Sequence, residues 1–298
     1  MPATVSTDFV FVPKVWQDHI DAYFRDKLQF GALAMQDNTL TSQPGETVNF
    51  PYFKNIGAAE EPGEDEGLTV DKLEDDSFSA TVKEVGKAVG FKKKAYRTSA
   101  APAARIDQEA VRQIGRRMAE KVDDDLITEI GTSGNYQTGF TATTADHKAL
   151  ITNLNTMKIT AFGDRADEAV AIFMHSYCVM DLLNDGTAGF LKADASDPFF
   201  RVPGFQGRLL GMALFMNDKC PAVSAVASKK TYAVYMVKPN AYGIMTAEDM
   251  ILESDKDILM RENVVAATMW YAVKAFHAKV HDDDLRIARG TFATSIAA

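Results

Sequence analysis

Two histidines near the C-terminus have the spacing of a metal site. His277 and His281 lie four positions apart, and Asp282 and Asp284 follow closely. On a helix, residues at this spacing share a face, where imidazoles and a carboxylate can bind zinc or manganese and activate water. A metal-dependent hydrolase is therefore one hypothesis. On a strand, the same histidines lie about 13 Å apart, too far to share an ion. The surrounding residues favour a strand, so we expect no metal or cofactor.

Nothing else in the sequence indicates catalysis. It contains no G-x-S-x-G elbow, P-loop or dinucleotide fingerprint. Cys178 lies in an apolar stretch, so we interpret it as a small buried hydrophobe rather than a nucleophile. Asp123, Asp124 and Asp125 point in different directions on a helix and cannot converge on one ion. We expect them to form a solvated or partner-facing edge, and we expect a protein that is not an enzyme.

Length and composition set the broad class. The 298 residues suffice for one large or two modest domains, and 46% apolar with 24% charged residues is typical of a soluble globular protein. No apolar run approaches the roughly 18 residues of a membrane span, and the N-terminus shows no export signal. Cys178 and Cys220 are the only cysteines. Such sparse cysteine usage suits a reducing compartment.

A strongly acidic segment lies between two strand patterns. Residues 60–76 contain nine acids and one base, a net charge of −8 out of −9 for the whole chain. The strand patterns on either side are 47–53 and 77–93. A long hairpin with such a tip cannot bury its own sides well. We therefore expect it to lie on another molecule, which points to assembly rather than catalysis.

Basic residues follow the acidic segment along the chain. They run from Lys83 to Arg117, and we interpret them first as partners of the acidic tip in another copy and second as a DNA surface. The expected intersubunit contacts combine acids of the tip with the later bases. They are Glu60, Glu61, Glu64, Asp65, Glu66, Lys92, Lys93, Lys94, Arg112, Arg116 and Arg117.

The clearest element is an amphipathic helix over 107–130. Its apolar residues recur every three or four positions, Asp107 is a plausible N-cap, and Gly131 is a plausible stop. In the strand pattern 77–93, the apolar residues occupy alternate positions, and at Lys83–Glu84 they switch from one set of alternate positions to the other. This switch predicts a β-bulge there. Residues 264–280 predict one unusually long strand that runs along the helix.

The rest of the chain mixes helix and strand patterns. A helix within an N-terminal arm is predicted to begin at Pro13. An α/β unit is centred on residues 145–245. Its predicted helices are 144–157 and 176–183, its strands are 169–174, 209–216 and 231–237, and a long irregular loop covers 185–207.

This order of elements resembles the major capsid proteins of tailed bacteriophages. The resemblance rests on TVKEVGKAVGFKKKAYRTS, on IDQEAVRQIGRRMAEKVDDDLITEI directly after it, and on three later segments. Those segments are AIFMHSYCVMDLLND, GFQGRLLGMALFMND and MRENVVAATMWYAVKAFHAKVHDDDLRIAR. It covers nearly the whole chain and is a resemblance of pattern and order.

The resemblance implies an α+β fold of the Hong Kong 97 type. It implies an N-terminal arm at 1–35 and an extended β-loop at 36–97. A peripheral domain at 98–144 and 246–298 would carry a spine helix at 106–131, and an axial domain would cover 145–245.

The same resemblance implies a function and partners. Hexamers and pentamers of the chain would form an icosahedral shell around double-stranded DNA, assembled in the bacterial cytoplasm and retained in the virion. The chain lacks the scaffolding-like N-terminal segment of some relatives, so a separate scaffolding protein is implied, with a portal and possible decoration proteins. Lys54 and Asn55 lie in the loop that some relatives cross-link, which is weak support for a cross-link here.

Alternatives remain at this point. An encapsulin-type compartment shares the fold and encloses enzymes rather than DNA, and the metal-dependent hydrolase is the alternative of a different class. A phage tail-tube or decoration protein fits less well, because those architectures are mostly β and lack a long helix.

Overall fold

The architecture is that of a computed structural model. It describes residues 13–25, 27–37, 46–53, 56–57, 59, 61, 67–68, 70–92, 94, 103–132, 144, 146–184, 190–194, 196–257, 261–276 and 285–297. The helices of this part are α1 (Pro13–Arg25), α2 (Ala103–Thr132), α3 (Ile151–Phe162) and α4 (Ser176–Asn184). The strands are β1 (Met35–Asp37), β2 (Thr47–Phe53), β3 (Asp75–Thr81), β4 (Lys83–Lys92), β5 (Ala171–Met174), β6 (Phe190–Lys192), β7 (Phe205–Leu209), β8 (Met212–Met216), β9 (Ala222–Val226), β10 (Lys229–Val237), β11 (Tyr242–Asp257), β12 (Glu262–Ala275) and β13 (Ile287–Ala297).

Helix α2 is the spine of the molecule. It has 30 residues and is therefore about 45 Å long. Its apolar positions, spaced by three or four from Val111 to Ile130, are all buried, which confirms the predicted helix. The predicted ends are wrong, because Asp107 and Gly131 both lie inside the helix. The residues that extend it at the N-terminal end include Ala103 and Ala104, which favour helix more than any other type.

A four-stranded sheet packs along one side of α2, in the order β1-β11-β12-β4. Alternate residues of β12 face the helix and are buried, namely Val265, Ala267, Met269 and Tyr271. The predicted long strand along the helix is confirmed, although the structure assigns it to residues 262–275.

A seven-stranded sheet forms the second half of the molecule. Its order is β13-β10-β5-β8-β7-β6, and β9 pairs with the start of β10. In the central strands, one set of alternate residues packs towards α2 and the other set belongs to a core with residues of α3 and α4. Because both faces of the sheet are covered, the sequences of these strands are continuous apolar runs. The last strand, β13, returns from the chain end to this sheet rather than to the four-stranded one.

The predicted β-bulge at Lys83–Glu84 is wrong. Residues 75–81 pair with β2 in a two-stranded sheet, whereas residues 83–92 pair with β12. Val82 separates the two strands, and its N–H donates to the Glu46 carbonyl at 2.8 Å. The switch of the apolar residues to the other set of alternate positions therefore marks a change of sheet. Phe78 packs on one side of the four-stranded sheet and Val85 packs on the other.

Two smaller predictions also need correction. The helix expected over 144–157 begins only at Ile151, and the expected loop 185–207 contains β6 and the start of β7. The strand expected over 209–216 is the β7–β8 hairpin, turning at Leu210–Gly211 with φ of 52° and 84°. Positive φ at both turn residues is typical of the tight hairpin turns that match strand twist.

The three aspartates of α2 do not form a solvated edge. Asp123 is 3% exposed and accepts hydrogen bonds from the N–H groups of Gln29 and Gly31 at 2.9 and 3.0 Å. Asp124 pairs with Lys219 at 2.7 Å. Burial raises the pKa of Asp123, and the two N–H groups oppose that rise.

Asp125 contacts a third part of the chain. It accepts from the Tyr271 hydroxyl of β12 at 2.6 Å and pairs with Lys83 of β4 at 2.7 Å. Because consecutive helix residues point in different directions, each of the three carboxylates reaches a different part of the fold. We call them the aspartate triplet.

Replacing Asp123 with alanine should lower the free energy of unfolding by about 1–3 kcal/mol, because it leaves two N–H groups unpaired. Asp124→Ala is the matched control. It removes a partly exposed ion pair and should cost under about 1 kcal/mol. Urea denaturation of both variants measures the difference, and equal losses would contradict the assigned role of Asp123.

Candidate functional site

The β2–β3 hairpin projects from the four-stranded sheet. Its strands pair in register from Thr47 opposite Thr81 to Phe53 opposite Asp75. Within the described residues of the hairpin, the packed part is its base, where Val48 and Ala80 are buried in a small cluster that includes Phe276 of the sheet end. The Phe276 ring contacts Phe50 and Phe78 edge-on, with centroids 5.2 and 5.8 Å apart. The aromatic base fixes where the hairpin leaves the body.

Beyond this base the hairpin exposes large apolar side chains. Val70 is 92% exposed, and Phe53, Ile56, Leu68 and Leu73 are each more than half exposed. The two arms are joined by the Gly57 N–H, which donates to Asp71 at 2.8 Å. This apolar set was not predicted from the sequence, because the prediction for the segment rested only on its charge. The alternation of Leu68 and Val70 was the available signal.

The acidic residues of the segment are exposed wherever the structure describes them. Glu61, Asp71, Glu74, Asp75 and Asp76 all lie on the surface. The predicted contact residues Glu60, Glu64, Asp65 and Glu66 lie outside the described residues, as do Lys54 and Asn55. The described part of the hairpin thus combines acidic and apolar groups on one projection.

The predicted basic contacts are exposed but not concentrated. Lys92 lies at the end of β4 and Lys94 follows it, while Lys93 lies outside the described residues. The three exposed arginines of α2 all have acidic neighbours on the same helix. These pairs are Arg112–Glu109 at 2.5 Å, Arg116–Glu120 at 2.8 Å and Arg117–Glu120 at 2.6 Å.

Those helix pairs are weak and exchangeable. The hydrogen bonds from Arg112 hold the pKa of Glu109 at about 2, so the glutamate stays ionised. Exposed pairs at this spacing contribute little to stability, because water and salt screen them. An approaching acidic surface can therefore take over these arginines with little loss.

A histidine, a serine and an aspartate meet at one end of the seven-stranded sheet. His175 Nδ1 accepts from the Tyr177 N–H at 3.2 Å and lies 3.4 Å from Ser176 Oγ, while Nε2 lies 3.8 Å from Asp218. Asp218 also accepts from the Ser176 N–H. The ring stacks on Tyr232 with centroids 3.8 Å apart. This geometry is that of an N-cap, so His175 caps α4.

The remaining candidates for chemistry give no site. Within the described residues, no group of three His, Cys, Asp or Glu side chains is placed to hold a metal ion. His277, His281, Asp282 and Asp284 lie outside them. Cys178 and Cys220 are buried, as predicted for Cys178, and burial raises the pKa of Cys178 to about 12, which disfavours the thiolate. No helix in the described part is long and apolar enough to span a membrane.

The comparisons with known proteins match this chain to capsid and compartment shells. No family model matches the chain. The major capsid protein of Staphylococcus phage phiMR11 is 26% identical over 296 residues, which cover 98% of either chain. The capsid of Ralstonia phage GP4 matches with a TM-score of 0.70 at 11% identity, covering 91% of this chain and 92% of that one. The SrpI encapsulin of Synechococcus elongatus matches with a TM-score of 0.58 at 11% identity, covering 97% and 91%.

The chain therefore has the Hong Kong 97-type capsid fold, an α+β architecture. The resemblance to the major capsid proteins of tailed bacteriophages, drawn from the order of the elements, is confirmed.

The His175 cap should make the fold sensitive to acid. Burial lowers the pKa of His175 below its ordinary 6.5, and the nearby Lys230 acts in the same direction while Asp218 opposes it. As the pH falls below 6.5, the unfolded chain binds a proton that the folded chain does not, so stability decreases until the folded-state pKa is reached.

In the His175→Asn variant, a cap that does not titrate should make the loss of unfolding free energy between about pH 6.5 and 5 smaller than in the natural chain. Denaturant titrations at several pH values measure it. His147, whose pKa burial also lowers, remains in both proteins and provides a shared background. Identical pH profiles would rule out His175 as the source.

Proposed function

We propose that this chain is the major capsid protein of a tailed bacteriophage. Its copies assemble through hexamers and pentamers into an icosahedral shell around double-stranded DNA. The observation that carries the proposal is the similarity to a phage major capsid protein over 98% of both chains. The role is structural rather than enzymatic, and the place of the protein is the virion after assembly in the host cytoplasm.

The geometry of the hairpin supports assembly. A segment that projects from the body with exposed Phe53, Val70 and Leu73 leaves apolar area in water unless another surface covers it. A shell protein needs large repeated contacts with its copies. An extended loop that lies on the neighbouring copy supplies such a contact.

Charge supports the register of that contact. We propose that the acidic segment 60–76 packs near Lys92–Lys94 or near Arg112–Arg117 of an adjacent copy. Opposite charges across an interface favour encounter and register more than affinity. Outside the acidic segment the chain is close to neutral, so we expect the inner surface to attract DNA only weakly, which leaves packaged DNA free to move.

We also propose a division of the chain into functional parts. Residues 1–35 form the N-terminal arm, 36–97 the extended loop and 145–245 most of the axial domain. Residues 98–144 and 246–298 belong to the peripheral domain, except that the pairing of β13 with β10 supports placing 287–297 with the axial sheet. A separate scaffolding protein, a portal and possible decoration proteins are the proposed partners.

An encapsulin-type compartment is the second candidate, supported by the likeness to SrpI. The two differ in content and in partners. Cargo peptides that copurify with the shell support the compartment, whereas scaffolding and portal proteins support the phage capsid.

The purified chain should form closed shells, or rings of five or six copies, in negative-stain electron microscopy and size-exclusion chromatography. Reversing Glu64, Asp65 and Glu66 to lysine should impair the formation of these species, because the hairpin then repels the bases that it meets. The monomer should keep its natural circular dichroism and thermal midpoint.

The matched control reverses Glu248, Glu253 and Asp255, three exposed acids of β11, and changes the net charge by the same amount. This control should still assemble. Normal shells from the hairpin variant would contradict the proposed contact. Higher salt should weaken assembly of the natural protein, because it screens the charges across that contact.

Replacing Leu68, Val70 and Leu73 together with serine should leave the free energy of unfolding within about 0.5 kcal/mol, because these side chains touch solvent in the single copy. The concentration needed for assembly should rise about tenfold or more as interface contacts are lost. Val48→Ser at the packed base should show the opposite pattern, a less stable monomer. Equal assembly of the triple variant and the natural chain would contradict a role for these side chains.

A further inference from the structure

The seven-stranded sheet carries exposed apolar groups at two opposite edges. Strand β13 forms one edge and β6 the other. At the β6 edge, the loop between β6 and β7 exposes Phe200, which is 49% accessible. At the β13 edge, α4 exposes Met180 and Leu183, which are 39% and 46% accessible. Neither group belongs to the hairpin surface described above.

The loop at the β6 edge is built to hold its aromatic residue outward. The Asp197 carboxylate accepts from the Phe199 N–H at 3.0 Å and from Arg208 Nε of β7 at 2.5 Å. The Phe200 N–H donates to the Asp197 carbonyl at 3.0 Å. Phe199 points inward and contacts the Phe215 ring edge-on at 6.0 Å. A rigid loop that presents one aromatic side chain is a pre-organised anchor, since binding costs little ordering entropy.

Helix α4 offers a fixed apolar stripe at the other edge. Tyr177, Met180 and Leu183 are spaced by three and therefore lie on one side of the helix. The opposite side is buried, and Asp181 holds the helix to β13 by accepting from the Ser295 N–H at 2.7 Å and from its hydroxyl. The stripe is therefore a rigid receiving surface.

Charge favours the same pairing of surfaces. The last turn of α4 contains no basic residue, and the C-terminal end of a helix carries a partial negative charge. Arg201 is exposed and directly follows the aromatic anchor. A contact that seats Phe200 against Met180 and Leu183 brings a cation towards the end of the helix that attracts it.

We propose that the Phe200–Arg201 loop of one copy docks on the Tyr177–Met180–Leu183 stripe of the next copy. Because donor and receiver lie at opposite edges of one sheet, the contact is head-to-tail, and repetition closes a ring when the rotation permits. The inference rests on the proposed shell function and assigns a ring contact separate from the hairpin contact.

Cysteine cross-linking tests the contact directly. Phe200→Cys is combined in turn with Tyr177→Cys, Met180→Cys or Leu183→Cys in the full chain, and oxidised glutathione serves as the oxidant. At least one pair should give a ladder of linked copies on non-reducing gels, reversed by dithiothreitol. The natural Cys178 and Cys220 are buried, so the unmodified chain and the single variants should stay unlinked beyond dimers. No ladder from any of the three pairs would overturn the proposal.

A second measurement separates this contact from the proposed function. Phe200→Asp should raise the concentration for half-assembly about 30-fold, the effect of losing a central aromatic anchor. Ile251→Asp, which changes an exposed apolar residue of β11, is the control and should assemble normally. If the natural chain assembles and Phe200→Asp assembles equally well, only the ring contact fails. If the natural chain forms no ring or shell at any concentration, with or without the scaffolding protein proposed above, the proposed function fails with it.

Discussion

Three neighbouring carboxylates in the middle of one helix contact three different parts of the molecule. Asp123 binds the segment that follows α1, Asp124 binds the β8–β9 turn, and Asp125 binds β12 and the start of β4. In the described part of the chain, the two large sheets share no paired strand. Helix α2 is the rigid element common to both, and the aspartate triplet sets how each part is held on it. Apolar packing stabilises these contacts, but its lack of direction cannot fix their orientation.

In the proposed contact between copies, the apolar and the acidic side chains of the hairpin have different roles. The exposed apolar side chains of the hairpin supply area that gains free energy when covered. The acids around them are strongly solvated and contribute little affinity, but they restrict which surface can cover that area. The weak pairs along α2 fit this division, since arginines held by Glu109 and Glu120 in exposed ion pairs can change partners.

Sequence reasoning succeeded where a period extends over many residues. The spacing in α2 and the length of the β-rich run that contains β12 predicted both elements and their mutual packing. It failed where the answer depends on distant contacts. The burial of Asp123 requires the backbone of residues 29–31, and the change of sheet at Val82 requires partners from β2 and β12. The alternating apolar residues of the hairpin can be recognised in the sequence, but only the folded structure shows that their side chains are exposed.

The single residue between β3 and β4 has a mechanical consequence. Val82 leaves almost no slack, so a pull on the hairpin passes straight into β4, whose paired residues against β12 run from Lys83 to Lys92. The ladder hydrogen bonds lie across the strand direction, and such a pull loads them together rather than one after another. The Lys83–Asp125 ion pair at the first position couples the same tension to the helix. Stress that arrives through the hairpin is thereby spread over the four-stranded sheet.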